Sequence, residues 1–167
     1  ISMALRHIVT VGDSVLTKVS RPVTQFDSRL HLLLDDMVET LLDAGGVGLA
    51  APQVGVLRRV VVVDTGEDGI LELINPEIID QSGSQTGLEG CLSVPGKYGI
   101  VTRPNVVTVR AQDRDGNWFE VEGEALIARC FCHELAHLDG QLYTEVAERM
   151  LTPEELQELT EGEEAED

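Results

Sequence analysis

The chain has 167 residues, of which 43% are apolar and 4% aromatic, and its 30 acidic and 12 basic side chains give a formal charge of −18. This length predicts one domain over 1–167 rather than two, with a core built from aliphatic side chains. The negative charge argues against nucleic acid as a ligand, because phosphate contacts need clustered lysine and arginine.

Cysteine content and the N-terminal residues predict the compartment. The three cysteines, Cys91, Cys130 and Cys132, form an odd and sparse set that favours a reducing environment over a disulfide framework. Residues 1–19 contain no continuous apolar run long enough for a signal peptide or a membrane span. We therefore expect a cytoplasmic protein without membrane contact.

An amphipathic helix is predicted over residues 27–44. Its apolar side chains recur at the spacing of one helical face. They are Leu30, Leu33, Leu34, Met37, Val38, Leu41 and Leu42. Asp27 or Ser28 can cap its start, and Gly45 can end it. The glycine-rich run that follows, 45–55, predicts a tight turn before the next strand.

Strands are predicted where short apolar or alternating runs lie between turn residues. These runs are 59–64 (RVVVVD), 70–74, 105–112 and 118–121. The Asp-Gly pair at 115–116 predicts a hairpin between the last two. The run 89–96 (EGCLSVPG) contains a proline and two glycines, and predicts a loop.

A second helix is predicted over 124–139, with Gly140 in a left-handed C-terminal cap. Residues 152–167 hold eight acidic and no basic side chains, which predicts a solvated terminal helix that frays into a tail. Helices and strands interleave without βαβ regularity. We therefore predict an α+β fold, with antiparallel or mixed sheets packed around the second helix as the central one.

This second helix carries a metal-binding pattern. His133 and His137 are four residues apart, share one face and can bind one ion. Glu134 projects about 100° from His133, close enough to act on a water at that ion. Cys130 lies seven residues before His137, a rise of roughly 10 Å, so its short thiol cannot share the ion with both histidines. Cys132 faces elsewhere, and we expect it to pack beneath the helix.

The third ligand must come from another segment. Position 143, which would complete a three-histidine protease motif, holds Tyr143. A downstream glutamate would indicate a zinc endopeptidase. The chain offers Glu145, Glu148, Glu155 and Glu158, and spacing excludes none of them. We favour Cys91, because the adjacent backbone N–H of Leu92 can point at a developing oxyanion.

Three segments together resemble the peptide deformylase family. The family motif GxGxAAxQ is matched by residues 46–53, EGCLS by 89–93 and HExxHxxG by 133–140, in the family's order and spacing. The resemblance runs from about residue 3 to residue 143. It implies an enzyme that removes the formyl group from the N-terminal formylmethionine of newly made polypeptides and releases formate.

The resemblance also implies the cofactor and the catalytic roles. One divalent metal would be bound by Cys91, His133 and His137. Fe²⁺ would be the native ion, with Zn²⁺, Ni²⁺ or Co²⁺ able to substitute; the ligand set alone does not choose among them, because it also suits zinc. Glu134 would move the proton, and the side-chain amide of Gln53 would join the Leu92 N–H at the oxyanion.

Four further residues are predicted to bind the substrate. Val47 would form a wall that admits formyl and excludes acetyl, and Gly48, like Gly46, would let an extended peptide approach the backbone. Leu126 and Cys130, seven and three residues before His133, would line an apolar pocket on the metal-facing stripe. Methionine suits such a pocket because its thioether is flexible and polarizable.

Two positions depart from the family pattern, with Cys132 in place of the usual Gln and Ala136 in place of the usual Asp. The missing Asp removes a partner for a base such as Arg103, which predicts a looser site unless another acid substitutes. The expected partners are N-formylmethionyl nascent peptides and, transiently, the ribosome, although the acidic tail does not support docking through a basic helix. Two alternatives stay open: a zinc endopeptidase, and a non-catalytic relative that binds metal or peptide.

Overall fold

The computed structural model describes residues 4–166, without the side chains of 162–166. It contains three α-helices: α1 (Ser28–Ala44), α2 (Leu126–Leu138) and α3 (Pro153–Glu166). Its eight strands are β1 (Gly48–Ala50), β2 (Val60–Asp64), β3 (Ile70–Ser82), β4 (Gln85–Cys91), β5 (Val94–Arg103), β6 (Val106–Gln112), β7 (Trp118–Glu124) and β8 (Arg149–Met150). Short 3₁₀ helices lie at Ser14–Thr17, Ala51–Val54 and Tyr143–Glu145. The α+β fold class is confirmed; the single-domain organisation stays a prediction.

The larger sheet has five antiparallel strands in the order β1-β2-β3-β6-β7. Strand β2 lies inside it, with both faces buried. Val61 and Val63 pack against the core that includes α2, whereas Val60 and Val62 pack against the core that includes α1. Burial on both faces explains why this strand reads as a continuous run of valine instead of alternating.

Strand β3 runs past its predicted end at residue 74 to Ser82. An Asn-Pro pair, a dipeptide that often marks a turn, follows at 75–76. Instead the strand continues through an irregularity, where Asn75 has a φ of 51° and the register against β6 shifts between Ile74 and Glu77. The Asn75 side chain hydrogen-bonds both the N–H and the C=O of Val23, and this tie holds the unusual conformation.

The smaller sheet joins β4, β5 and β8, and it corrects the predicted loop over 89–96. Cys91 ends β4 and pairs with Val94 of β5, so only Leu92 and Ser93 form the turn. A Cβ added at Gly90 would lie 2.7 Å from the ring of Tyr98. The glycine therefore permits close cross-strand packing, a cause that local sequence does not distinguish from loop formation.

The glycine-rich run after α1 is also more ordered than a tight turn. Residues 48–50 form β1, an edge strand of the larger sheet, and a 3₁₀ turn follows. The predicted caps of α1 are confirmed. The Asp27 carboxylate accepts a hydrogen bond from the Leu30 N–H at 3.1 Å, and Gly45 ends the helix with a φ of 69°.

Helix α2 packs on the opposite face of the larger sheet from α1. It begins at Leu126 and not at the predicted residue 124, because Glu124 still pairs with Val106 at the end of β7 and Ala125, with a φ of 56°, turns the chain. Gly140 has a φ of 75°, as predicted for the C-terminal cap.

Within the predicted acidic segment, residues 153–166 form α3, residue 167 lies outside the described part of the chain, and the fraying into a tail stays a prediction. A capping box begins it. The Glu155 N–H donates to the Thr152 hydroxyl at 3.1 Å, and the Thr152 N–H donates to the Glu155 carboxylate at 3.0 Å. Within residues 4–166, no helix is both long and apolar enough to cross a membrane.

Candidate metal centre

Three potential metal ligands converge from two distant segments. Cys91 stands at the end of β4, and His133 and His137 lie one turn apart on α2. One ligand atom from each of the three residues lies within 4.8 Å of the others, and the Cys91 Sγ is 3.4 Å from the His137 Nε2. The hairpin and the helix thus bring together the ligand set that the sequence favoured.

This spacing fits a metal ion. A sulfur and a nitrogen bound to one tetrahedral ion, at bond lengths of about 2.3 and 2.0 Å, are about 3.5 Å apart. Two buried polar atoms beside the cluster, the Glu134 Oε1 and the His137 Nδ1, have no hydrogen-bond partner among the described residues. A buried carboxylate oxygen without a partner is costly unless an ion or a water satisfies it.

His133 is oriented by Glu89. Its Nδ1 lies 2.7 Å from the Glu89 Oε2, which leaves its Nε2 for a ligand. Burial alone would raise the pKa of Glu89, but hydrogen bonds from His133 and Arg103 outweigh it and lower that pKa to about 2. Burial likewise would lower the pKa of His133, yet the charge of Glu134 and hydrogen bonds to Cys91 and Glu89 raise it to about 10. Metal binding would therefore displace a proton from His133.

Two arginines complete the surroundings of Glu89. Arg103 donates to both carboxylate oxygens, at 3.2 and 2.7 Å, and Arg129 donates to Oε1 at 2.9 Å and to the Val101 carbonyl at 3.0 Å. Glu89 is thus the acid that pairs with Arg103 in this chain, where position 136 holds alanine. Because Glu89 belongs to the EGCLS motif, it does not replace the missing Asp, and the looser site stays a prediction.

Glu134 is 3% exposed and lies beside the ligand atoms, with its Oε1 4.0 Å from the His137 Nε2. Burial raises the pKa of Glu134 to about 7. The carboxylate packs directly against β1. A Cβ added at Gly48 would lie 2.8 Å from the Glu134 Oε2 and 2.5 Å from the Cys130 Sγ. The missing side chain at Gly48 therefore makes room for Glu134, a reason that the sequence did not indicate.

His137 is the most deeply buried of the three ligand candidates, at 1% exposure. Burial, followed by the charge on His133, lowers the pKa of His137 to about 3. Its ring is therefore neutral, and a neutral imidazole is the form that binds metals.

Gln53 turns its amide nitrogen toward the cluster. Its Oε1 accepts a hydrogen bond from the Ala50 N–H at 2.9 Å, which fixes the orientation of the amide. Its Nε2 then donates to the Ser93 hydroxyl at 3.1 Å and to the Cys91 Sγ at 3.6 Å. Gln53 is 1% exposed, so this donor is held in place without competition from bulk water.

A cleft of about 410 Å³ opens beside the cluster. All four predicted substrate-binding residues line it: Val47, Gly48, Leu126 and Cys130. Leu126 is 58% exposed at the mouth, whereas Cys130 is 7% exposed and lies deeper. Gln53, Leu92 and Glu134 line the same cleft. Their contact with a substrate stays a prediction.

The other candidate ligands do not join the cluster. Cys130 lines the cleft, and burial, aided by the charges of Glu134 and Glu89, raises the pKa of its thiol well above the ordinary value. Cys132 packs against the core around α2, as expected. Glu155 instead pairs with Arg149, and Glu148 accepts a hydrogen bond from Thr102. Among the described residues, the glutamate ligand that an endopeptidase requires is not brought to the histidines.

Sequence reasoning missed two residues that shape this centre. Arg129, 6% exposed, lies four residues before His133 on the same helical face, and a lone arginine on a buried stripe signals a buried acidic partner. Glu89 was noted only as a motif letter. Its three partners come from two other elements, Arg103 from β5 and both Arg129 and His133 from α2, so no local pattern reveals that they meet.

Comparisons with known proteins agree with this geometry. The family model described as "Polypeptide deformylase" matches residues 5–152. A peptide deformylase from Agathobacter rectalis is 60% identical over 149 residues, 89% of this chain and 94% of that protein.

Two solved structures have the same fold. A peptide deformylase from Legionella pneumophila is 40% identical, with a TM-score of 0.83 over 96% of this chain and 98% of that one. One from Thermotoga maritima is 39% identical, with a TM-score of 0.83 over 86% and 98% of the two chains. Since sequence, fold and the meeting of three motifs at one cleft agree, the chain belongs to the polypeptide deformylase family.

Proposed function

We propose that Cys91, His133 and His137 hold one divalent ion in the cleft and that Glu134 moves the proton in hydrolysis. The reaction of this family member is the removal of the formyl group from the N-terminal formylmethionine of newly made polypeptides, with release of formate. The observation that supports the residue roles is the convergence of a thiol and two imidazoles beside the buried Glu134 oxygen that has no partner among the described residues.

Glu134 is placed to carry the proton. A bound divalent ion would supply a Lewis acid that lowers the pKa of water to about 7. Glu134 accepts a proton from the attacking water and delivers it to the nitrogen of the leaving amine, so that the formyl C–N bond breaks after the new C–O bond has formed. Its burial and its contact with Gly48 hold the carboxylate in one place for both transfers.

Two N–H groups would meet the developing oxyanion. Gln53 supplies its side-chain Nε2, whose orientation is fixed through the Ala50 N–H. Leu92 supplies its backbone N–H from the hairpin turn next to Cys91. Loss of one such donor typically costs about 3–4 kcal/mol of transition-state stabilisation.

The formylmethionine side chain would occupy the apolar part of the cleft. Leu126 and Cys130 lie one helical turn apart on α2 and line the cleft together with Val47 and Gly48 of the β1 segment. These aliphatic and thiol groups suit the flexible thioether of methionine. A small wall at Val47 would select formyl over the larger acetyl group.

Fe²⁺ is the proposed native ion, with Zn²⁺, Ni²⁺ or Co²⁺ as substitutes. The proposal rests on family resemblance, because one thiolate and two imidazoles suit several of these ions. Protein purified anaerobically with Fe²⁺ should lose activity in air without reductant, since ferrous iron beside a thiolate oxidises. Steady activity in air would contradict iron as the bound ion.

The cellular setting follows from the substrate. Nascent N-formylmethionyl peptides arise where translation occurs, so we place the enzyme in the cytoplasm. Contact with the ribosome would be transient, and α3, with two acidic residues in its first turn, is a poor candidate for binding ribosomal RNA.

Formate release from formyl-Met-Ala-Ser tests these roles. Wild type prepared anaerobically with Fe²⁺ should release formate, whereas Glu134→Ala should fall to background with its metal content unchanged. Cys91→Ala should lose the metal, and the matched control Cys132→Ala, outside the cluster, should keep it. Wild type no more active than Glu134→Ala would indicate a non-catalytic binding protein, and full metal content in Cys91→Ala would contradict the ligand assignment.

A further inference from the structure

The mouth of the cleft carries an unusual set of exposed side chains. Leu88, Tyr98 and Leu126 line the cleft and are 42%, 41% and 58% exposed. Lys97, next to Tyr98 on β5, lines it as well and is exposed. Exposed apolar side chains grouped at a cleft mark a binding surface. We call these four residues the rim.

Lys97 is the one exposed charge among the residues that line the cleft. The other acidic and basic side chains there, Glu89, Arg129, His133 and Glu134, are each at most 8% exposed. Glu89 and Arg129 also neutralise each other through their ion pair at 2.9 Å. Among the described residues, no carboxylate lies within 4.0 Å of the Lys97 ammonium.

Hydrogen bonds from residues 143–151 hold the backbone at Lys97 in place. The Tyr143 hydroxyl donates to the Lys97 carbonyl at 3.2 Å, and the Leu151 N–H donates to the Tyr98 carbonyl at 2.8 Å. Strand β8 pairs with β5 just beyond, at Gly99 and Ile100. The Lys97 side chain can rotate about its bonds, but the backbone that positions it at the rim is fixed.

We infer that Lys97 makes this enzyme favour peptides with an acidic side chain shortly after the formylmethionine. The inference rests on the proposed function, in which formylmethionine fills the apolar part of the cleft. The following residues must then leave across the rim, where Leu88, Tyr98 and Leu126 contact the peptide without regard to charge. Lys97 alone discriminates charge there, attracting glutamate or aspartate and repelling lysine or arginine.

The large negative charge of the chain does not cancel this local preference. At an ionic strength of 0.15 M the screening length is about 8 Å, so distant acids act weakly on a residue that lies beside Lys97. Exposed ion pairs are weak, and the expected preference for glutamate over lysine at one position is about two- to five-fold in kcat/KM.

The experiment uses the chain's two lysines. Lys97→Glu reverses the charge at the rim, and Lys18→Glu makes the same change at an exposed lysine that does not line the cleft. C-terminally amidated formyl-Met-Ala-Ala-Ala is prepared with glutamate, glutamine or lysine at position two, three or four. Formate release gives kcat/KM at 0.15 M salt for the wild type and both variants, and thermal unfolding checks that they fold alike.

Wild type and Lys18→Glu should prefer glutamate over lysine about two- to five-fold at one or more positions, and Lys97→Glu should abolish or reverse this preference. Equal rates for glutamate and lysine at every position, or a preference that Lys97→Glu leaves unchanged, would overturn the inference. The affinity of the same peptides for the variant Glu134→Gln, measured by calorimetry, tests the charge preference without depending on turnover. A charge preference in binding without formate release from wild type would support the role of Lys97 while refuting the proposed function.

Discussion

Two glutamates in this chain have nearly the same pKa, although one is buried and the other is partly exposed. The pKa of Glu89, beside the metal centre, and that of Glu155, at the start of α3, both lie at about 2. Both carboxylates bind arginine. The Glu89 side chain is 4% exposed, however, whereas 34% of the Glu155 side chain is exposed. Burial opposes the charge of Glu89 strongly, so its partners must first compensate for lost hydration.

The difference shows why an equal pKa does not imply equal importance. At Glu155, water replaces a lost partner at little cost, so the ion pair with Arg149 adds little. At Glu89, removing the carboxylate leaves Arg103 and Arg129, whose side chains are only 11% and 8% exposed, without their acidic partner. It also frees His133 from its orienting contact. The Glu155–Arg149 pair stabilises only the start of α3, whereas the contacts of Glu89 support both the fold and the orientation of His133.

Glu89→Ala should have the largest effect. Breaking a buried ion pair from one side typically costs about 3–5 kcal/mol in the free energy of unfolding. Loss of the contact to a metal-binding histidine lowers metal affinity by roughly 10–100-fold. Urea unfolding and metal titration measure the two effects. A variant as stable as wild type, with unchanged metal affinity, would show that Glu89 is no more important than an exposed glutamate.

A double variant sharpens the same point. In Glu89→Ala, two guanidinium groups lose their acidic partner. Glu89→Ala/Arg129→Met also replaces one of them with an apolar side chain of similar length. We expect the double variant to be more stable than Glu89→Ala, and the two substitutions to couple by about 0.5–3 kcal/mol, the range for contacting residues. Arg129→Met alone completes the cycle. Additive effects of the two substitutions would mean that the pair contributes nothing through burial.

Gly48→Ala tests close packing at the buried region. Its added methyl group meets Cys130 and Glu134 at 2.5–2.8 Å. Overpacking of this kind costs about 1–3 kcal/mol of stability, and formate release should fall because Glu134 is displaced. Gly87→Ala is the matched control on β4, where an added Cβ would lie 3.6 Å from a guanidinium nitrogen of Arg129, an ordinary contact distance. Equal activity of the two variants would contradict the packing role of Gly48.

The smallest effect is expected at α3. The pKa of Glu155 is about 2 in the folded chain against 4.5 ordinarily, because hydrogen bonds from Arg149 and the Thr152 N–H favour its charged form. Its contribution is therefore present above about pH 4.5 and is lost as the pH falls toward 2. Hydrogen exchange at residues 153–160 should quicken over that interval, after correction for intrinsic rates, while Trp118 fluorescence reports on the rest of the fold.

Glu155→Gln serves as the control for that titration. Its side chain does not ionise in this range, so its α3 exchange should already be faster at neutral pH and should not quicken further as the pH falls from 4.5 to 2. An unchanged pH dependence in this variant would assign the titration to another acid.

Local sequence predicted the elements whose signals are periodic or capped. The stripe of leucines in α1, the Asp27 and Gly45 caps, and the valines of β2 all appear where expected. Predictions failed at 89–96, where two glycines and a proline predicted a loop, and after residue 74, where the strand was predicted to end. In both places the strand continues through a shift in register, supported by cross-strand packing at Gly90 and by the contact of Asn75 with Val23.

By itself the sequence determined that two histidines share one helical face with a glutamate beside them, because four residues make about one helical turn. Through family resemblance it also pointed to Cys91. Only the tertiary structure decided that this thiol reaches the histidines, that Glu89 joins His133 to two arginines, and that Gly48 makes room for Glu134. Apart from the Glu89–Arg103 pair, which is 14 positions apart, these contacts join residues 40 or more positions apart. Their distances are set by the packing of sheet and helix rather than by any local pattern.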